Sequence, residues 1–374
     1  MKIIIINGLY RSGKTFIQKL LDVHKDITMI SHGIVSFFKV LEMIYFKDKN
    51  YTITERPFCL EFLGNNIEYK NIINDTFFDE KNISYLLKKI QKDIANDLSL
   101  GGDKTRPGDE LVLEIKKILT PGKAKDIFEL ICSAISKYRK INDSVYVGFS
   151  EQNLEQFIEP LILGFGDKIK IIQIIRDPRA IFTSRNYGSY VEKKGGGKIH
   201  PMLLVGRVWR TSVNYKWYLC ANYSDNFYPL YYEKLMSQPE NELKNIYAFL
   251  GIKFSEDLMD ISKLKNDDGK KWINNSSFQG VKGFDVETID RWKKILPDDD
   301  LAAFEYICSY EMIREGYKTL TSVDRQFESF LTFKENVNRI KKWTYKYNLL
   351  FDNIEKEKEI FRHYYLNHFT TNEI

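Results

Sequence analysis

The sequence lacks several features that would have fixed its class at once. Its four cysteines, Cys59, Cys132, Cys220 and Cys308, stand far apart with no CxxC pair, so neither a zinc site nor a disulfide framework is indicated and a reducing compartment is expected. No stretch approaches the roughly 20 apolar residues that a membrane-crossing helix needs. The opening MKIIIING runs into a glycine loop rather than a small-residue cleavage site, and a cytoplasmic protein without a membrane span is expected. Charge of one sign is not in excess either. The 56 Lys and Arg against 51 Asp and Glu leave a net +5, with the two signs mixed along the chain, which favours an anionic ligand over nucleic acid. Internal repeats and low-complexity linkers are missing as well.

What is present is the patterning of an α/β protein. With 43% hydrophobic residues over 374 positions, the chain can bury a full core. IIIIN (3–7) is a β-branched run suited to a strand covered on both faces, and 15–23 is helical in pattern. Residues 24–46 continue through HKDITMISHG, with a turn at ISHG, into a second helix, GIVSFFKVLEMIYF. Residues 47–125 mix helical pieces such as ISYLLKKIQKDIANDL with loops, and are assigned to an acceptor-side insertion. Order returns with a helix at DIFELICSAISKYRK, a strand at SVYVGFS, a helix at NLEQFIEPLIL and the strand KIKIIQII. A helix opens at Pro178, which suits a first helical position. Long helical segments follow around GRVWRTSVNYKWYLCANY, YPLYYEKL reads as a further strand, and 318–374 reads as a charged helical extension. Alternating strands and helices predict a doubly wound parallel sheet flanked by helices.

GLYRSGKT (8–15) lies between the first strand and the first helix. Glycines let backbone N–H groups turn toward a phosphate at a helix N-terminus, where the helix dipole also favours negative charge. Gly8 and Gly13 permit the turn, Lys14 reaches the transferred group and Thr15 offers a hydroxyl. The letters fit the P-loop of kinases and nucleotide triphosphatases, which also need a Mg²⁺-supporting acid at a strand end. Glu151 in GFSEQN and Asp177 in RDPRA are the candidates, and neither closes an apolar run cleanly. Asp177 stands between Arg176 and Arg179, which suggests an anion site. IIRDPRAIFTSR puts the Arg176 guanidinium and the Ser184 hydroxyl near one helix entrance, able to share a phosphate or sulfate.

Two such sites on one sheet suit a nucleotide phosphorylated at two separated places, and here the sequence resembles the sulfotransferases that use 3′-phosphoadenosine 5′-phosphosulfate (PAPS). LYRSGKTFIQKLLDVHKDI is similar to their 5′-phosphosulfate loop and IIRDPRAIFTSR to their 3′-phosphate motif. YYEKLMSQPENELKNIYAFLGI and RWKKILPDDDLAAFEYICSYEMIREGY continue the likeness in order, so that it covers about 1–30 and 145–317. The departure is Lys14, where many relatives carry Ser or Thr. The resemblance implies a P-loop-type fold and transfer of a sulfuryl group from PAPS, without a metal, to an acceptor hydroxyl or, second, an amine, in a carbohydrate or small alcohol. It implies that Arg11, Ser12, Gly13, Lys14, Thr15 and Phe16 hold the 5′ end, with Lys14 assisting departure, while Arg176 and Ser184 hold the 3′-phosphate. For the base that takes the acceptor's proton, His32 leads and Glu151 follows; His200 and the lysines of VEKKGGGKIHP are placed over the site, and His24 at a helix end. Trp209, Trp217, Trp272 and Trp292 are expected in the core more than at a ligand. A Mg²⁺-dependent kinase and a non-catalytic nucleotide-binding scaffold stay open as rivals. The C-terminal extension is read as packing on the sheet, joining copies of the chain, or binding another partner.

Overall fold

The computed structural model describes residues 1–31, 35–48, 70–99, 109–139, 145–152, 154–187, 201–266, 270–272 and 283–334. Its strands are β1 (Lys2–Gly8), β2 (Ile27–Ser31), β3 (Phe77–Phe78), β4 (Gly122–Lys123), β5 (Tyr146–Ser150), β6 (Ile169–Ile175) and β7 (Phe227–Tyr231). The helices are α1 (Lys14–Leu21), α2 (Val35–Asp48), α3 (Ile72–Asp75), α4 (Glu80–Ser99), α5 (Asp109–Ile118), α6 (Ala124–Tyr138), α7 (Glu155–Phe165) and α8 (Pro178–Asn186). They continue with α9 (Met202–Asn222), α10 (Tyr232–Ser237), α11 (Pro239–Leu250), α12 (Glu287–Asp290), α13 (Asp298–Arg314) and α14 (Val323–Thr332).

Five strands form one parallel sheet in the order β2-β5-β1-β6-β7, and β3 pairs with β4 in a separate antiparallel ribbon. β1 is central because Ile3, Ile4, Ile5 and Ile6 are all buried, two toward each face. Ile4 and Ile6 pack with Ile17, Leu20 and Leu21 of α1 and with Leu243 and Ile246 of α11. Ile3 and Ile5 join Phe37, Phe128, Phe149 and Phe157 from α2, α6, β5 and α7. Full burial of each such side chain contributes about 1.5–3 kcal/mol. Gly148 is needed where β5 meets β1, since a Cβ there would stand 2.3 Å from the Ile4 carbonyl oxygen.

From β1 the chain goes first to one side of the sheet, for β2 and β5, and then to the other, for β6 and β7. A crevice therefore opens beyond the carboxyl ends of β5, β1 and β6, which is where ligands sit in open sheets of this kind. The expected parallel sheet is present. Two local readings are corrected. ITMIS, given no element from the sequence, is the edge strand β2, too short a run beside a polar HKD to stand out by periodicity, and the turn expected at ISHG starts inside it. The strand read into YPLYYEKL stops at Tyr231, and Tyr232–Ser237 coils into α10. Between β2 and β5, α3 to α6 extend the second core through Ile72, Ile73, Leu86 and Ile115. After Gly316 the chain docks back: Phe330 of α14 is fully buried against Tyr306 of α13, with ring centroids 4.4 Å apart.

Candidate active site

The loop between β1 and α1 has the backbone of an anion cradle. Gly8 has φ 151°, Gly13 has φ 103°, and Arg11 is the sole non-glycine with positive φ among the described residues, at 63°. Positive φ at three of six successive positions is the kind of backbone that lets loop N–H groups turn toward an anion at a helix start. The Ser12 hydroxyl and the Lys14 ammonium both donate to the Leu9 carbonyl at 2.7 Å, so the lysine is folded over its own loop. Gly13 is doubly constrained, because a Cβ there would also come within 2.7 Å of the Tyr232 ring. Thr15 and Phe16 continue into α1, where Phe16 packs against Trp272 and Phe284, with centroids 6.0 and 5.1 Å away.

Lys14 is buried, and that desolvation brings its pKa down to about 7, against the opposing pull of Glu151 and Glu155 and with the charges of Arg185 and Arg11 adding to the fall. Glu151, just past β5, donates its N–H to the Ile6 carbonyl and accepts from the Val35 N–H through Oε1 at 3.2 Å, so it bridges β1, β5 and α2. His32 and His200 lie outside the described residues, as do the lysines of 191–201. His24 has a structural role: its Nδ1 accepts from the Asp26 N–H at 3.1 Å, and its Nε2 stands 3.2 Å from the Lys253 carbonyl oxygen.

The second motif closes the crevice from β6. Arg176 donates through Nη1 to the Arg11 carbonyl at 2.8 Å and through Nη2 to the Thr288 carbonyl at 3.1 Å, and its guanidinium lies 4.0 Å from the Tyr232 ring centroid. Its buried Nε–H has no partner among the described residues. Ser184 is buried in α8. Asp177 caps α8 by accepting the Arg179 N–H at 2.9 Å and also binds the Arg179 guanidinium, whose Nη1 donates to Glu305 at 2.6 Å. Arg179 is thus taken up inside the protein and only Arg176 of the pair faces the loop. Burial holds the Glu233 carboxyl above its usual range, where it accepts the Asp177 N–H at 2.8 Å.

The sequence reading missed two charged neighbours of Lys14. Arg185, the residue after Ser184, lies over the Tyr10 ring at 3.7 Å and so ties α8 to the loop apex. Glu155, in the first turn of α7, is fully buried, and burial raises its pKa. The signal for both was position: each lies on the helix that follows a strand paired with β1, Glu155 in the first turn of α7 and Arg185 in the last turn of α8. Of the tryptophans, Trp209 and Trp292 are buried, and Trp209 donates to the Arg176 carbonyl at 2.9 Å.

These features define an α/β protein of the P-loop type, with two strand-to-helix corners, at 8–14 and 175–178, brought together at one end of the sheet. The sequence model of the sulfotransferase domain matches residues 2–316. The chain belongs to the sulfotransferase family and is a PAPS-dependent sulfotransferase enzyme, which decides GLYRSGKT against the kinase reading. It is 21% identical over 367 residues to carbohydrate sulfotransferase 3 of Tetronarce californica, covering 90% of this chain and 77% of that one. Among solved structures it is similar to the sulfotransferase domain from the curacin biosynthetic pathway, at 14% identity and TM-score 0.48 over 85% of this chain and 98% of the other. It is also similar to that of the Synechococcus PCC 7002 olefin synthase, at 18% identity and TM-score 0.48 over 84% and 94%.

Proposed function

We propose that this enzyme transfers the sulfuryl group of PAPS to a hydroxyl of a carbohydrate or similar small acceptor. The observation that carries the donor reading is the joining of the two anion-binding motifs through Arg176, which reaches from the end of β6 to the Arg11 carbonyl. The residues fit a doubly phosphorylated nucleotide: a positive-φ glycine loop at 8–13, a buried lysine, and beside the loop a buried Arg176 Nε–H with no partner among the described residues. When bound, PAPS supplies the sulfuryl group and a phosphate leaving group.

Arg11, Ser12, Gly13, Lys14, Thr15 and Phe16 hold the 5′ end, and Lys14 turns from the Leu9 carbonyl to the oxygen where negative charge develops. Arg176 Nε and Ser184 hold the 3′-phosphate. His32 takes the acceptor's proton, with Glu151 as the second choice, since a base must stand within hydrogen-bond reach. Positioning and charge stabilisation do most of the work, as in phosphoryl transfer. The carbohydrate acceptor is supported by the Tetronarce relative, and the acceptor-side helices α2 to α6 are where it is selected.

Thermal unfolding tests the donor. Stabilisation by 3′-phosphoadenosine 5′-phosphate without metal, with none from ATP and Mg²⁺, is the expected result; at about 100 times its dissociation constant a ligand adds roughly 2.7 kcal/mol. The opposite pattern would remove the donor reading. A sulfation assay over a panel of saccharides and simple alcohols then reads the acceptor. His32→Ala should keep nucleotide affinity while lowering turnover, and full activity in that variant would pass the base role to Glu151.

A further inference from the structure

The peptide unit between Arg176 and Asp177, at the corner from β6 into α8, is held from both sides. Its carbonyl oxygen accepts from the Trp209 Nε1–H of α9 at 2.9 Å, and its N–H donates to Glu233 Oε1, in the first turn of α10, at 2.8 Å. The unit is planar, with its carbonyl and N–H on opposite sides, so the two partners together fix its orientation and the direction in which the Arg176 side chain leaves the backbone. The other oxygen of Glu233 accepts from the Tyr317 hydroxyl at 3.0 Å. The Tyr317 ring returns to Trp209, with centroids 6.2 Å apart and planes at 60°. Peptide, Glu233, Tyr317 and Trp209 thus form a closed circuit drawn from α8, α9, α10 and the chain after α13.

Tyr317 is placed by the way α13 ends. Gly316 has φ 83°, its N–H donates to the Ile313 carbonyl at 3.0 Å, and the Tyr317 N–H reaches back to the Met312 carbonyl at 2.8 Å. This paired closure at a left-handed glycine fixes the direction in which the chain leaves the helix. Two further contacts hold the same segment. Tyr231 donates to Glu315 Oε2 at 2.9 Å, and Arg179 Nη1 donates to the Lys318 carbonyl at 2.9 Å. Residues 315–318 therefore meet both 231–233 and the 176–179 corner.

We propose that Tyr317 is a positioning residue for the nucleotide: through Glu233 it fixes the Arg176–Asp177 peptide, and so aims the Arg176 guanidinium at the 3′-phosphate. This rests on the reading of Arg176 as the holder of that phosphate. Nη1 and Nη2 of Arg176 are engaged by the Arg11 and Thr288 carbonyls, which leaves the Nε–H, without a partner among the described residues, to meet an anion. Nε lies closer to the backbone than either Nη, so its direction follows from how the peptide is held. The Tyr317 hydroxyl is engaged by Glu233 and acts on the ligand through that peptide, not by contact.

The test compares 3′-phosphoadenosine 5′-phosphate with adenosine 5′-phosphate, which differ only in the 3′-phosphate, by calorimetry on the full chain. Wild type should bind the first more tightly. Tyr317→Phe keeps the ring against Trp209 and loses the hydroxyl. It should lower affinity for the doubly phosphorylated nucleotide by about 3- to 10-fold and leave the other within about twofold. Glu233→Ala, which also strips the Asp177 N–H of its acceptor, should lower the first affinity further. Glu233→Gln, whose amide can still meet both partners, should keep the preference. In the Arg176→Ala background, Tyr317→Phe should change neither affinity. A merely structural Tyr317 would lower the melting temperature and move both nucleotides together or neither, and either result in a folded Tyr317→Phe enzyme overturns the proposal. A Glu233→Gln enzyme as impaired as Glu233→Ala overturns it too, and this pair decides the matter if Tyr317→Phe does not fold. A wild type that binds the two nucleotides equally overturns the role of Arg176 instead, so the two failures are separable.

Discussion

The Arg176 guanidinium stands 2.8 Å from the carbonyl oxygen of Arg11 and 4.0 Å from the Tyr232 ring centroid, so one side chain from the end of β6 braces the loop that follows β1. Two motifs separated by 165 positions are thereby one structural unit.

Replacing Arg176 with Ala removes a charge-assisted contact worth on the order of 1.5–3 kcal/mol and releases the loop. Affinity for 3′-phosphoadenosine 5′-phosphate should fall about 10- to 100-fold by calorimetry. An unchanged affinity would show that the second motif does not bind the nucleotide.

Gly13→Ala places a Cβ at φ 103° and 2.7 Å from the Tyr232 ring, which is rigid and also shares a hydrogen bond of 2.9 Å with Thr288. The loop must shift, at about 1–3 kcal/mol in stability. Urea unfolding should show that loss, and nucleotide affinity should fall with it. A fully stable Ala variant with normal binding would mean that the loop does not hold this shape.

Lys14 makes stability depend on pH in a direction that can be worked out. Its folded pKa is about 7 against an ordinary 10.5, so between those values the unfolded chain binds more protons than the folded one. Stability therefore rises with pH through that window, and below about pH 7 the buried charge costs its full amount. Lys14→Met should be more stable than wild type at pH 7, and the difference should shrink by about 2 kcal/mol by pH 9. A constant difference across the window would show that the lysine is not desolvated.

Glu305 accepts from Arg179 Nη1 at 2.6 Å, from the Leu320 and Thr321 N–H groups at 2.9 and 3.0 Å, and from the Thr321 hydroxyl. Glu305→Ala leaves Arg179 without one of its two carboxylates and strands the other donors, at about 3–5 kcal/mol. Nucleotide affinity should stay within about twofold, because none of these groups lines the crevice. A matching loss of affinity would place Glu305 in the site.

The glycine loop, the central β1 and the β6-to-α8 corner were legible because each couples a β-branched run to residues with restricted backbone choices: Gly8 and Gly13 on one side, Pro178 on the other. β2 was not, since an edge strand of five residues carries too little pattern of its own. Arg11 and Ser184 could be picked from their motifs, and the role of Arg179 could not. Its Asp177 neighbour is local, but Glu305 lies 126 positions away and no spacing rule connects them. Glu155 was hidden for the same reason, because its hydrogen-bond partner Ser212 lies 57 positions away on another helix.

The Glu305 cluster also determines where this chain can be cut. A fragment ended at Gly316, where the domain match stops, would lose the N–H groups of Leu320 and Thr321 and uncover Tyr306, whose ring now stacks on Phe330. A fragment ended beyond Thr332 keeps both. The shorter piece should be recovered from expression as aggregate or protease-nicked material, and the longer as an intact nucleotide-binding unit, so the working boundary for any truncated enzyme lies after α14.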